Sequence, residues 1–366
     1  MTELADILRD AGPAYVQRFG NRLLPSHLRV LRDVVDCRTP VLGGRMYLCH
    51  DCGHQHPVYH SCRNRHCPKC QGGDAERWLE RQRAILLPCE YGLATCTLPA
   101  GLRDIARSHQ RTVYSILMRE AAHALLELAA DRSFIGGLTG IMAVLHTWTR
   151  ALIFHPHVHL LFPIGGLTAD GDAWIKPRKR TYILPAYALA KRFRERVELA
   201  FRKAGLYDLV PKRVWCKPWV TNVKRVGSGD PALLYLSRYV FRIAISNKRI
   251  HAFDGQSVTF SARNRDGSTV QHTLSAQEFI RRFLQHVLPR HFVKVRYYGL
   301  WAPANREKLA VARGILEHHL AAIGKTPKSR VVDDGNANAD THIRCPKCGT
   351  HFRNPPSEIP RPRAPP

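Results

Sequence analysis

The sequence predicts an α+β fold preceded by a small zinc-ribbon-like domain. Three observations carry this. Strand-like and helical patterns are interspersed without a glycine-rich phosphate loop, which argues against a Rossmann or P-loop enzyme. Two CxxC pairs lie within 22 residues near the N-terminus, Cys49–Cys52 and Cys67–Cys70. A segment reading HPHVHLLFPIGG (155–166) sets His155, His157 and His159 at the two-residue period of one strand face.

Taken in order, the first 85 residues are rich in cysteine and histidine and close on DAERWLERQRAILL, where Trp78, Leu79, Ile85 and Leu86 form a helical apolar stripe. YGLATCTLP then reads as a strand, 102–131 as one long helix, and LTGIMAVLHTWTR as a strand leading to the histidines. A helix is expected at about 184–204 and a strand at VWCKPWVTNVKRV. Asp230 as N-cap and Pro231 in the first turn start a helix running to about 242. Short strands follow at 249–273, then a helix through EFIRRFLQHVL opened by the Ser275/Glu278 capping pattern, then a strand at HFVKVRYYG. The polar stretch 326–343 reads as a linker and PPSEIPRPRAPP as a disordered tail. This suggests three parts: a zinc-binding, DNA-recognition domain over 1–87, a catalytic domain over 88–325, and a linker, CPKC knuckle and tail over 326–366.

The chain has 366 residues, room for two or three domains. Its 56 Lys and Arg against 29 Asp and Glu give a net charge of +27, so the expected partner is a polyanion, with nucleic acid foremost. A membrane is not expected, since no apolar run approaches the roughly 18 residues of a span. The N-terminus, MTELADILRD, is acidic and polar and does not read as a secretory signal. Eleven cysteines set largely in CxxC pairs point to metal ligation in a reducing cytoplasm rather than to disulfides.

Cys49-x2-Cys52, 14 residues, then Cys67-x2-Cys70 is two-knuckle zinc spacing, and four thiolates would close a structural tetrahedral Zn²⁺ site. Cys37, Cys62, His54, His60 and His66 are left over, and Cys345–Cys348 makes half a site with His342 and His351 nearby. Arg63 and Arg65, beside the knuckles, are candidate DNA contacts. In YLSRYVFR, Tyr235 and Tyr239 stand four apart on one helical face, with Arg238 and Arg242 on the same stripe. That pattern suits a phosphodiester, with a phenolate attacking phosphorus while guanidinium forks hold the non-bridging oxygens. A divalent ion on His157 and His159 would polarise the phosphate, and histidines do not choose between Mg²⁺ and Mn²⁺.

Four stretches, SCRNRHCPKCQ (61–71), HPHVHLLFPIGG, YLSRYVFRIAISNKRI (235–250) and EFIRRFLQHVLP (278–289), resemble in order the signatures of one family. It comprises the rolling-circle insertion-sequence transposases with an N-terminal zinc-binding domain, within the HUH endonucleases, where U is hydrophobic (here Val158). The resemblance spans most of 37–310. It implies nicking and transfer of single DNA strands through a 5′-phosphotyrosine, with Tyr235 and Tyr239 as nucleophiles, His157 and His159 as metal ligands, and host replication machinery as partner. It also implies an HUH-endonuclease-like fold, a central antiparallel sheet with flanking helices that bears the histidines, with the tyrosine helix packed beside it. A cytoplasmic protein, nucleoid-associated through DNA binding, is expected from the cysteine usage and the charge. The family carries a polar residue after the upstream HTW, where this chain has Arg150, and an arginine does not ligate a cation. His155 and His146 are the alternatives for a third ligand. A replication initiator or relaxase of the same superfamily, a non-catalytic zinc-ribbon DNA-binding protein, and a metal-dependent hydrolase are the competing readings.

Overall fold

The computed structural model describes residues 2–70, 72–177, 183–241, 244–264, 266–324 and 343–362, with backbone alone at 72–74, 238, 239 and 241. Contacts divide the chain into two discontinuous units, Met1–Gly73 with Ile245–Val287 and Val331–Pro366, and Asp74–Ala244 with Leu288–Arg330. The second unit is built on five strands, β1 (Tyr91–Thr97), β2 (Gly140–Trp148), β3 (Phe154–Pro163), β4 (Thr221–Arg225) and β5 (Val295–Gly299). They form one sheet in the order β5-β2-β3-β1-β4, every neighbouring pair antiparallel. The expected sheet with flanking helices is present.

Both faces of this sheet are covered, which explains why β2 and β3 read as nearly unbroken apolar runs. On one face Ala94, Cys96, Ala143, Leu145, Val158 and Leu160 join the core that includes α2 (Gln110–Ala130) and α3 (Ala186–Lys203). Those helices are also tied by charge: Glu120, nearly buried, takes Arg196 at 2.9 Å and Arg119 at 2.6 Å. A buried carboxylate without such partners would be strongly destabilising. On the opposite face Leu93, Met142, Val144 and Leu161 pack with Ala232, Leu233, Leu236 and Val240 of α4 (Asp230–Phe241). Trp78 and Leu79 of α1 (Gly72–Ile85) join that second core, as their sequence stripe foretold.

In the first unit, the helix Leu4–Phe19 packs on Pro25–Asp36 and on Ala276–Leu284. Ser275 caps the last of these through its Oγ, which accepts from the Glu278 N–H at 3.3 Å. The strand-like pieces at 249–273 form an antiparallel meander of Ile250–Phe253, Ser257–Arg263 and Thr269–Ser275. A hairpin of Gly44–Leu48 and Gln55–Tyr59 completes this unit's framework.

Three expectations are corrected. The helix over 102–131 is two helices, Arg103–Ser108 and Gln110–Ala130, because His109 leaves helical geometry (φ −119°, ψ 45°). VWCKPWVTNVKRV is a strand only from Thr221; its start is the short helix Arg213–Cys216, and Trp215 and Trp219 turn into the core. The tail is not wholly irregular: Ser357–Ile359 pairs antiparallel with Gly44–Met46. Residues 326–342 of the expected linker, His342 included, lie outside the described residues. Among the described residues no helix is long and apolar enough to cross a membrane.

Candidate functional site

Strand register builds a polar patch at one end of the α4-covered face. His146 on β2 lies opposite His157 on β3, and His157 opposite Thr97 on β1. One row further in, Val144, His159, Thr95 and Asn222 stand side by side, and the next row, Met142, Leu161, Leu93 and Lys224, is largely apolar. Side chains alternate along each strand, so all of these share a face.

The imidazoles of His146, His157 and His159 are buried, with one ligand nitrogen from each lying within 4.8 Å of the others. His157 donates its Nδ1–H to the His155 carbonyl at 2.7 Å, which makes Nε2 its lone-pair nitrogen. That Nε2 stands 2.9 Å from His146 Nδ1. Thr95 Oγ1 meets His159 Nδ1 at 3.1 Å. Burial pushes His157 down to about 4, against the opposing effect of its bond to the His155 carbonyl, and brings His159 to about 3. Burial thus keeps His157 and His159 neutral near pH 7, and both have their second nitrogen fixed by a hydrogen bond, as metal-ligating histidines do. The set fits a divalent ion. Of the two candidates for third ligand the fold brings in His146. His155 instead accepts from Arg103 Nη2 at 3.1 Å and stays outside the cluster.

Helix α4 sets Tyr235 beside this cluster: its ring meets that of His159 edge-on, centroids 5.9 Å apart. The helix is anchored by the buried Leu233 and Leu236, and Tyr235 is 37% exposed, so its hydroxyl-bearing ring is reachable from solvent while seated on the histidines. Tyr235 also lines an open pocket of about 280 Å³ with Leu93, Lys224, Val226, Pro231 and Ala232. Lys224 was not a sequence candidate. Only its register opposite Leu93 reveals it, because nothing in the sequence says which strands are neighbours. Arg238 and Tyr239 belong to the same helix, but their side chains, and Arg242 altogether, lie outside the described residues.

The cysteines correct the expected ligand grouping. Cys49 and Cys52 do not meet Cys67 and Cys70; instead two four-cysteine clusters form, Cys37–Cys62–Cys67–Cys70 and Cys49–Cys52–Cys345–Cys348. The reason is the hairpin. Cys49 and Cys52 sit at its turn, and five residues of strand at about 3.3 Å each carry the chain away before Cys62. Cys62 therefore emerges at the open end, next to Cys37 at the C-cap of Pro25–Asp36. In the first cluster Cys37 Sγ lies 3.4 Å and Cys62 Sγ 3.6 Å from Cys70 Sγ, and hydrogen bonds from Cys67 and the Asn64 N–H hold the Cys62 thiol down to about 6. Arg63 and Arg65 are exposed on the Cys62–Cys67 loop.

Comparison with known proteins gives a consistent result. Residues 7–98 match the family described as "Transposase zinc-binding domain", and residues 140–308 the family described as "Putative transposase". The chain is 37% identical to "Putative transposase y4qJ" of Sinorhizobium fredii, over 94% of this chain and 92% of that one. It is 28% identical to "Transposase for insertion sequence element IS801" of Pseudomonas savastanoi pv. phaseolicola, over 86% of this chain and 80% of that one. No solved structure matches the chain significantly. With a relative this similar over nearly its whole length, and with both signature regions matched in order, the chain belongs to the IS91/IS801 family of insertion-sequence transposases, which are rolling-circle transposases.

Proposed function

We propose that this transposase nicks and rejoins single DNA strands with a tyrosine nucleophile, and that Tyr235 is the residue that becomes joined to DNA. The observation that carries the reading is the ring of Tyr235 seated against His159 on a three-histidine cluster. The Tyr235 phenol oxygen loses its proton and attacks phosphorus. A tyrosyl–phosphorus bond forms, the bond from phosphorus to the 3′ oxygen breaks, and that oxygen takes up a proton and leaves as a 3′-hydroxyl. The reverse attack by a 3′-hydroxyl reseals a strand.

His146, His157 and His159 would hold a divalent cation, Mg²⁺ or Mn²⁺, which when bound supplies a Lewis acid for the scissile phosphate. Thr95 and the His155 carbonyl orient two of those rings. Lys224, exposed at the pocket beside Tyr235, attracts the phosphate backbone. Tyr239, four residues further along α4, takes the second cleavage, with Arg238 and Arg242 as phosphate contacts. Arg63 and Arg65 contact DNA from the cysteine-rich unit, which is held by structural Zn²⁺. Host replication proteins extend the freed 3′ end, and the protein works in the cytoplasm at the nucleoid.

Labelled single-stranded DNA bearing the element's ends, incubated with Mg²⁺ or with EDTA and run on a denaturing gel, tests this. A metal-dependent adduct that disappears in the Tyr235→Phe, Tyr239→Phe double variant supports the proposal. Cut DNA with no adduct identifies a hydrolase instead, and bound but uncut DNA a zinc-dependent binder.

A further inference from the structure

The zinc-binding family match ends at residue 98, yet one of the two cysteine clusters draws half its sulfurs from residues 345–348. The two halves are built alike. In CHDCGH (49–54) the Cys49 N–H donates to the His54 carbonyl at 3.0 Å, and the Gly53 N–H to the Cys49 carbonyl at 2.9 Å. In CPKCGT (345–350) the Cys345 N–H donates to the Thr350 carbonyl and the Gly349 N–H to the Cys345 carbonyl, both at 2.8 Å. Both glycines take the left-handed conformation this turn requires, φ +67° and +79°. Cys67–Cys70 lacks a glycine in that place, having Gln71.

Across the pair, Cys49 Sγ lies 3.5 Å from Cys348 Sγ, and Cys52 Sγ 3.6 Å from Cys345 Sγ. Those separations exceed a disulfide bond and approach the roughly 3.8 Å edge of a tetrahedron with Zn–S of about 2.3 Å. The surroundings continue the junction. Ser357–Ile359 adds a third strand to the Gly44–Leu48 hairpin, and Phe352 meets Tyr47 (centroids 5.2 Å) and stacks on His56 (6.2 Å).

We propose that Cys49, Cys52, Cys345 and Cys348 bind a second structural Zn²⁺, forming one zinc ribbon assembled from opposite ends of the chain. The ion is a clasp. It joins cysteines 293 residues apart and fixes the C-terminal segment as part of the N-terminal unit. The cluster of Cys37, Cys62, Cys67 and Cys70 is separate and does not depend on it. The inference is independent of the strand-cutting chemistry proposed above.

Metal analysis of the full chain, paired with the Cys345→Ser, Cys348→Ser double variant, tests the clasp. The variant should carry one zinc equivalent fewer than the unaltered chain, and Cys49 and Cys52 should become open to alkylation while Cys62, Cys67 and Cys70 stay protected. Unchanged zinc with Cys49 and Cys52 still protected would overturn it. A second measurement needs no variant: alkylation of the zinc-loaded protein under a rising chelator concentration, read by peptide mass. Cys49–Cys52 and Cys345–Cys348 should become reactive together. Reactive Cys345 and Cys348 beside protected Cys49 and Cys52 in the loaded protein would refute the clasp.

Discussion

At the residue scale, the proposed metal site distinguishes the members of the histidine cluster from a neighbour. His146→Ala removes a donor from the trio and should abolish measurable Mn²⁺ binding at the cluster. His155→Ala removes only a ring held by Arg103 and should leave the Mn²⁺ affinity nearly unchanged. Titration calorimetry on protein with its zinc sites filled compares the two directly. Thr95→Val keeps the volume of the side chain but deletes its bond to His159 Nδ1, and should weaken Mn²⁺ binding by about 10–100-fold. His157 and His159 were legible in the sequence because a strand's two-residue period survives in any context. His146 was legible only as one of two alternatives. Its selection over His155 depends on the pairing of β2 with β3 and on the arginine that occupies His155, neither of which a sequence displays.

At the element scale, α4 is held on the sheet by its apolar side. Leu233→Ala, at a fully buried position, should cost about 2–5 kcal/mol in chemical denaturation and loosen the seat of Tyr235. The helix Ala276–Leu284 gives a pH test. Hydrogen bonds from Arg281, reinforced by Arg282, hold the Glu278 carboxyl down to about 2 from an ordinary 4.5. Its folded value is depressed, so its stabilisation is complete above about pH 4.5 and is lost as pH falls through 2. Glu278 is partly exposed, so Glu278→Gln should cost only about 1 kcal/mol at pH 6, and the difference from the unaltered chain should shrink toward zero by pH 2. Capping and periodicity placed both helices correctly in the sequence. The strand expected from Val214 failed because Pro218 cannot supply a ladder N–H and two tryptophans found a better site in the core.

At the scale of the whole molecule, the +27 charge predicts DNA binding that falls steeply with salt. For about six phosphate contacts on a single strand the loss should be roughly a few hundred-fold between 50 and 200 mM, read from titrations at several concentrations. Fold class and family character could be read from local patterns and motif order. The grouping of the cysteines could not, because proximity in sequence favoured Cys67 and Cys70 as partners for Cys49 and Cys52, while a five-residue strand moved them apart and the distant chain end took their place. The central claim is that a tyrosine of α4 becomes covalently joined to DNA, and trypsin offers a direct reading of it. Cleavage after Arg225 and Arg238 leaves Tyr235 in the peptide 226–238 and Tyr239 in the next one. Mass spectrometry of protein reacted with element-end DNA and Mg²⁺, then digested with trypsin and nuclease, should find a nucleotide on the peptide 226–238. Cut DNA with both tyrosine peptides unmodified would contradict the account.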